Sequence, residues 1–365
     1  MVRIVHISNA HASNDPRIFE RHCTSLANNG FEVLYLGPFG FINEINQGVK
    51  IVGIGKTQSR FVRFTYINFK ILTQIFRLKP DVVEFHDPDL VLLAGFLKFF
   101  GFKIIGNIHE DISLQVLNKY WIPKIFRKLL HKFFSFFYPI LINLVCDATV
   151  CATDGISEKF KNNNNIVTRN FPTKNFFNGC KIPKKIIKEK LNLIYVGVVE
   201  DRRGLDIMLK ISRSKLVSKL TLVGKFSPKS LKKKIQQDEK NNKKLKIIGE
   251  VPYGKVPEFI KKNDVGICLL ENNRAYSESI PTKIFEYSSL GLPTISNNFK
   301  YISDLNNKNS FAILIDEINI KSVENALERI INKYYFYSSS CLEASKLLNW
   351  NNEESKYLDL MKKIV

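Results

Sequence analysis

The chain has no CxxC pair, no GxGxxG run behind its first strand-like segment, and no uninterrupted apolar stretch of bilayer length. Each absence excludes something. Six cysteines (Cys23, Cys146, Cys151, Cys180, Cys268, Cys341) are scattered, several inside apolar strand-like runs. That usage reads as buried reduced thiols, not disulfides or metal ligands. Without GxGxxG a nicotinamide dinucleotide fold is disfavoured. Strand-like residues begin at Val2 and polar ones follow by Ser8, so no signal peptide is expected. No repeat of short fixed period occurs. The scarce charge is negative: 34 Asp plus Glu face 55 Lys plus Arg, a net +21.

That excess favours an anionic partner: a phosphorylated substrate, an anionic membrane surface or nucleic acid. Coding DNA rich in A and T accounts for part of it. The lysines at 184–190, 229–234 and 243–246 read as solvated helix faces and loops. They lack interleaved aromatics and no recognised nucleic-acid motif accompanies them, so nucleic acid is not the expected partner.

At 365 residues the chain is long for one core, so two domains are expected. Strand-like runs alternate with helical ones. The first series is VRIVHIS (2–8), FEVLYLG (31–37), DVVEFH (81–86), KIIGNIH (103–109) and ATVCAT (148–153). Helical runs lie between them at about 17–29, 66–78, 89–100 and 112–145. A Lys-, Asn- and Pro-rich stretch at 173–190 reads as a linker. The second series is LNLIYVG (191–197), KLTLVG (219–224), LKIIGEV (245–251), DVGICLL (264–270), PTISN (293–297) and FAILID (311–316). Continuous apolar strands between helices imply buried parallel sheets. The expected fold class is therefore α/β, with two doubly wound, Rossmann-like domains facing a central cleft. Domain one covers 1–172, the linker 173–190 and domain two 191–350, with helix 351–364 returning to domain one.

The most informative stretch is ESIPTKIFEYSSLGLP, residues 278–293. Glu278 and Glu286 are eight positions apart. Pro281 fits the first turn of a helix that Gly291 and Pro293 stop. A carboxylate near a helix start, just beyond the strand Val265 to Leu270, lies where an open α/β sheet binds its ligand. It is a pure acceptor and can take both hydroxyls of a sugar or ribose. The stretch resembles the donor-site signature of retaining glycosyltransferases with the GT-B fold, family 4 type. The resemblance implies that Glu286 binds ribose and, by spacing, that Glu278 lies near the reacting sugar as a catalytic group. Where the family has a glycine-rich run between the acids, this chain has Ser279-Ile280-Pro281.

The donor diphosphate needs cations. The first strand of domain two ends at Gly197, and VEDRRG follows at 199–204. The family pattern has an Arg directly after this glycine and a Lys or Arg directly before the next. Here Val198 stands at the first place and Arg203 at the second. Lys225 after the next strand and Lys283 of PTK are further donor-binding candidates. Such cations could stabilise a leaving nucleotide diphosphate without a metal, so no metal or cofactor is expected.

Domain one offers acceptor-side candidates. Asp15-Pro16 opens a helix with good capping chemistry. DPRIFERHCTSLANNGFEV resembles the opening of a bacterial subgroup of these transferases, which implies that Arg17 contacts an acceptor phosphate. Packing of Arg17 on the helix surface is the alternative. His86-Asp87 and His109-Glu110 each end a strand. By resemblance His109 matches the catalytic, acceptor-domain histidine that approaches the donor sugar, and His86 and Asp87 shape the acceptor pocket. Zinc is conceivable for such residues, but their spacing fits no standard site.

The helix at about 119–145 carries Lys124, Arg127, Lys128, His131 and Lys132 on one side and Phe126, Leu129, Leu130, Phe133, Phe134 and Phe137 on the other. Charges interrupt it, so it is too polar to span a bilayer. A basic amphipathic helix reads as membrane-facing, with Lys124, Arg127, Lys128 and Lys132 at the surface. The alternative makes the Phe face domain core. The sequence therefore reads as a glycosyltransferase moving a sugar from a nucleotide-sugar donor to a glycan or lipid-linked acceptor in bacterial surface polysaccharide synthesis (O-antigen, capsule or lipopolysaccharide). It would be cytoplasmic and peripheral on the inner face of the membrane. A sugar-nucleotide epimerase of the same fold and a non-enzymatic nucleic-acid-binding protein stay open.

Overall fold

The structure, a computed structural model, describes residues 1–57, 59–119, 122–161, 164–177, 189–277 and 279–365. The chain divides into two compact units. Unit 1 is Met1–Asn170 with Trp350–Val365, and unit 2 is Phe171–Asn349.

Unit 1 is built on an eight-stranded sheet: β1 Arg3–Ile7, β2 Glu32–Gly37, β3 Asn43–Asn46, β4 Val49–Gly53, β5 Val82–Phe85, β6 Lys103–Ile108, β7 Ala148–Cys151 and β8 Asn165–Val167. The order is β3-β4-β2-β1-β5-β6-β7-β8. Every pairing is parallel except β3 with β4. Successive residues of a strand face opposite sides. Val5 and Ile7 accordingly join one core, with Ile71, Ala94 and Ile142 from helices. Ile4 joins the other, with Phe19, Leu26 and the terminal helix residues Tyr357 and Met361. The terminal helix thus completes the second face, and Trp350 Nε1 donates to Ser25 Oγ at 2.8 Å.

Three strands escaped the pattern. β3 and β4 form a hairpin whose turn residues Gln47 and Gly48 both have positive φ, 48° and 77°. That mirror-image turn matches the strand twist, and the NQG run is its sequence signal. The third, β8, has only three residues, none fully buried. The run expected over 112–145 is two helices, Ile112–Leu117 and Lys124–Val145. Pro123, in extended conformation, restarts the second.

Unit 2 is built on six parallel strands: β9 Leu191–Val196, β10 Val217–Val223, β11 Leu245–Gly249, β12 Val265–Cys268, β13 Thr294–Asn297 and β14 Ala312–Ile315. Their order is β11-β10-β9-β12-β13-β14. The chain starts in the middle and winds outward both ways, so loops after β9 and β12 meet at the switch point. Two glycines are obligatory there. A Cβ on Gly266 would enter the Tyr287 ring, and one on Gly224 would overlap the Gly197 carbonyl. Five cysteines are free and buried; Cys180 lies outside the described residues.

Candidate functional site

In unit 1 the carboxyl ends of β1, β5 and β6 are neighbours, and a buried polar cluster fills the space beneath them. Glu84 and His6 are register partners on β5 and β1. Both are fully buried. Glu84 accepts from Asn107 Nδ2 at 2.5 Å and from the Tyr357 hydroxyl at 2.7 Å. Burial raises its carboxyl to about 7 despite those bonds. Asn107 Nδ2 also lies 2.7 Å from His22 Nδ1. Its Oδ1 accepts from Arg17, at 3.1 Å from Nη2 and 3.4 Å from Nε. Arg17 is therefore buried and not on the helix surface, and burial lowers its guanidinium to about 10.

His86 links this layer outward. Its Nε2 lies 3.0 Å from His6 Nδ1, and its Nδ1 lies 3.1 Å from His109 Nε2. Burial pushes His6 down to about 3, and His22, His86 and His109 well below the ordinary imidazole value. Asp87 turns the other way and ties down the loop after β1. It accepts from Ser8 Oγ at 2.6 Å and from the Asn9 and Ala10 amides at 2.8 and 3.3 Å, and it lies 3.1 Å from His11 Nδ1. Burial alone would raise the Asp87 carboxyl; the bonds from His11, Ser8 and Asn9 outweigh it and hold the carboxyl below its usual range. His11 is raised in turn, since Asp87 overcomes its burial.

The sequence reading missed His6, His11, His22, Glu84, Asn107 and Tyr357 here. For Glu84 and His6 a signal existed: each is an ionisable residue inside an apolar strand, which a parallel sheet tolerates only when hydrogen-bonded. Tyr357 had none, because 273 residues separate it from Glu84.

The helix Lys124–Val145 splits differently from its helical-wheel expectation. Arg127 Nη1 donates to the Leu117 carbonyl at 3.2 Å, and His131 Nδ1 lies 3.0 Å from the Ser113 carbonyl. Both turn toward the helix Ile112–Leu117, while Lys124, Lys128 and Lys132 are exposed. The alternative that makes the Phe face domain core holds only in part: Phe134 packs against the core, whereas Phe126, Leu129, Phe133 and Phe137 are each half exposed or more. Only Tyr138, Ile142 and Val145 of this helix are buried. Among the described residues no helix is long and apolar enough to cross a membrane.

In unit 2 the helix Thr282–Ser289 presents Lys283 and Glu286 beside the end of β9. Tyr287 of the same helix fixes it there, since its hydroxyl accepts from the Val196 amide at 2.8 Å. Pro281 is the residue before the first turn, in extended conformation. Lys283 is buried, and its ammonium has no hydrogen-bond partner. It sits 3.9 Å above the centroid of the Tyr195 ring. A Cβ at Gly197, where φ is 133°, would stand 3.1 Å from Nζ. Glu286 is buried and accepts from the Tyr253 hydroxyl at 3.0 Å. Tyr253 was missed in the sequence; it follows β11 in the VPYGKVP run.

Arg203 lies in the turn Asp201–Arg203 and donates from Nε to Glu200 Oε1 at 2.6 Å. Burial works against its charge, but Tyr195 and the Glu200 carboxylate outweigh it and raise the guanidinium above its usual value. Lys225 is exposed, and its carbonyl accepts from the Val199 amide at 2.8 Å, joining the β10 loop to the β9 loop. Glu278 lies outside the described residues. Lys283, Gly197, Tyr195 and Arg203 thus gather at one sheet edge, with Glu286 one turn along the helix.

Residues 181–345 match the family model for glycosyl transferases group 1. No curated protein sequence matches the chain. Solved structures do. Sucrose-phosphate synthase from Thermosynechococcus elongatus superposes with a TM-score of 0.77 at 13% identity, covering 100% of this chain and 99% of that one. HepE from Anabaena in complex with UDP-glucose gives 0.71 at 10%, covering 100% of both chains. The catalytic domain of starch synthase IV from Arabidopsis thaliana, bound to ADP and acarbose, gives 0.72 at 11%, covering 100% and 99%. The fold is GT-B.

Proposed function

We propose that the protein is a retaining glycosyltransferase that moves a sugar from a nucleotide-diphosphate sugar to a hydroxyl of a glycan or lipid-linked acceptor. The observation that carries this reading is Lys283. An ammonium buried without a hydrogen-bond partner is costly, and the cost is removed when an anion arrives. The glycine at position 197 leaves its backbone open to close approach by a diphosphate. Glu286, already ordered by Tyr253, supplies the acceptor that ribose hydroxyls need. In this reading Lys283, Arg203 and Lys225 stabilise the leaving diphosphate. Glu278 serves the reacting sugar, and unit 1 receives the acceptor through Arg17, His86, Asp87 and His109.

Thermal shift against UDP, GDP, ADP and their common sugars tests it. One nucleotide should stabilise the protein at both low and high salt, and more strongly as its sugar conjugate. Glu286→Gln should weaken that nucleotide about tenfold or more. If no nucleotide stabilises the protein, the donor site falls.

Membrane attachment belongs to the same proposal. Phe64, Leu92, Phe133, Phe137, Ile140 and Leu144 line an apolar groove of about 510 Å³ in unit 1. Lys124, Lys128 and Lys132 are exposed on the helix that borders it. Apolar contact beside a row of lysines suits an anionic bilayer surface, the setting of a lipid-linked acceptor for surface polysaccharide at the inner membrane face. Replacing the three lysines with glutamate should release the protein from phosphatidylglycerol vesicles. Undiminished pelleting would remove this part.

A further inference from the structure

His6, His86 and His109 form a chain of two hydrogen bonds, with nitrogen separations of 3.0 and 3.1 Å. The ring centroids of the same pairs are 5.3 and 5.4 Å apart. Each centroid separation exceeds its nitrogen separation by 2.3 Å (5.3 less 3.0, and 5.4 less 3.1). That excess equals two imidazole ring radii, so each bridging pair of nitrogens lies on the line joining its rings. A lone pair then points straight at the facing N–H, which is hydrogen-bond geometry. His6, Glu84 and His86 do bring three ligand atoms within 4.8 Å of one another. A metal, however, requires two lone pairs converging on a point off that line, and the rings are not so aimed.

Each link holds one proton, so three neutral rings have two arrangements. Either all three carry hydrogen at Nδ1, or all three carry it at Nε2. The far end decides between them. His6 Nε2 is buried and has no hydrogen-bond partner. In the second arrangement it would be a buried N–H without an acceptor; in the first it is only an unused lone pair. Orphaned buried donors are the rarer and costlier defect. Burial keeps the rings uncharged at neutral pH, so no extra proton blurs the choice.

We propose that His6 and His86 are positioning residues that clamp His109 in its Nδ1–H tautomer. His109 then accepts from His86 at Nε2 and offers a donor at Nδ1. It has no free lone pair and cannot act as a general base. Its task is to donate a hydrogen bond to a substrate oxygen. Only this last consequence rests on the transferase reading; the tautomer rests on the ring geometry and on the unpartnered, buried His6 Nε2.

Long-range proton–nitrogen correlation spectra of the full chain, with nitrogen-labelled imidazoles, read the tautomer directly. Assignment comes from single His→Gln variants. The expected result is protonated Nδ1 and bare Nε2 on His109, by about ten to one or more. Protonated Nε2, or an even average of the two, would overturn the clamp. His6→Asn keeps a donor near the Nδ1 position and should preserve the pattern. His6→Asp offers only acceptors and should reverse it through His86. If His6→Asp does not fold, the wild-type spectrum still decides. In transfer assays His6→Asp should lower kcat about tenfold or more with little change in donor KM, and His6→Asn should recover most of it. Equal losses in both variants would overturn the link to turnover. An Nδ1–H signal in a protein that transfers no sugar would keep the clamp and discard the transferase reading.

Discussion

The two units share an architecture and differ in how they treat buried charge. Unit 1 carries all six histidines and both tryptophans of the chain; unit 2 carries none of either. Beneath the ends of β1, β5 and β6, unit 1 pairs its buried polar groups with one another: Glu84 with Asn107 and Tyr357, Asp87 with Ser8 and His11, and His86 with His6 and His109. Unit 2 leaves the Lys283 ammonium without a hydrogen-bond partner at the matching place in its own sheet. A site whose carboxylates are paired is rigid before any ligand comes; a site that leaves its buried cation unpaired is stabilised by the ligand it lacks. The first arrangement suits positioning, the second suits holding an anionic group that must later leave.

The largest expected difference is in response to acid. His6 sits near 3 in the folded chain against 6.5 unfolded. Between these values the unfolded chain binds more protons, so stability is lost as pH falls below 6.5. His22, His86 and His109 shift in the same direction, each first by burial. Glu84, raised by burial to about 7 from 4.5, acts oppositely: its share is present at low pH and is lost as pH rises from 4.5 to 7. His11, raised, shares that sign. Glu20, raised by burial, shares it too, but the four lowered histidines outnumber these three groups, so acidification brings a net loss of stability. Urea melts followed by tryptophan emission read unit 1 alone, whereas far-ultraviolet circular dichroism reads both units. Moving from pH 7.5 to 5.5 should shift the tryptophan transition to lower urea and split it from a later circular-dichroism transition. A single transition that does not move would break the comparison.

A smaller effect comes from a matched pair of contacts. In unit 1 Tyr357 donates to Glu84 at 2.7 Å, both fully buried. In unit 2 Tyr253 donates to Glu286 at 3.0 Å in a partly buried setting. Tyr357→Phe removes a hydrogen bond to a buried carboxyl and should cost unit 1 about 2 kcal/mol in the tryptophan-detected melt. Tyr253→Phe should cost no more than about 1 kcal/mol of stability, because water can replace the lost donor. It should instead weaken the nucleotide that Glu286 is proposed to bind. Equal destabilisation by both changes would mean that Glu286 is a structural carboxylate like Glu84.

Most strands were legible because a parallel sheet buried on both faces demands continuous apolar runs, and eleven such runs stand out between helical segments. The hairpin β3–β4 was not, because its first strand is wholly exposed and has no apolar face to announce it. The helix Thr282–Ser289 was legible through its apolar interior and its Gly and Pro stops. What could not be read was pairing. Arg203 looked like the readiest phosphate-binding cation, yet it is engaged by Glu200, and among the described residues it is the buried ammonium of Lys283 that has no hydrogen-bond partner. Nothing local to PTKIFEY says that its lysine rests on Tyr195, whose place is set by β9 almost ninety residues earlier. The histidine chain likewise joins three strands through side-chain directions that only the assembled register supplies.

The finest test of the contrast is Lys283→Met in protein without nucleotide. Removing a buried cation usually destabilises, because it strands a partner charge. Here no partner carboxylate is hydrogen-bonded to it, so methionine would remove a desolvation cost and keep most of the packing. The opposing loss is the contact with the Tyr195 ring at 3.9 Å, of order 1–2 kcal/mol when desolvated. The buried charge costs several kcal/mol, so the balance favours the variant by about 1 kcal/mol. Lys283→Met should therefore unfold slightly later than wild type when free, and lose the stabilisation that nucleotide sugars give. If it unfolds earlier instead, the ring contact outweighs the desolvation, Lys283 is a structural residue, and unit 2 has satisfied its buried charge as fully as unit 1.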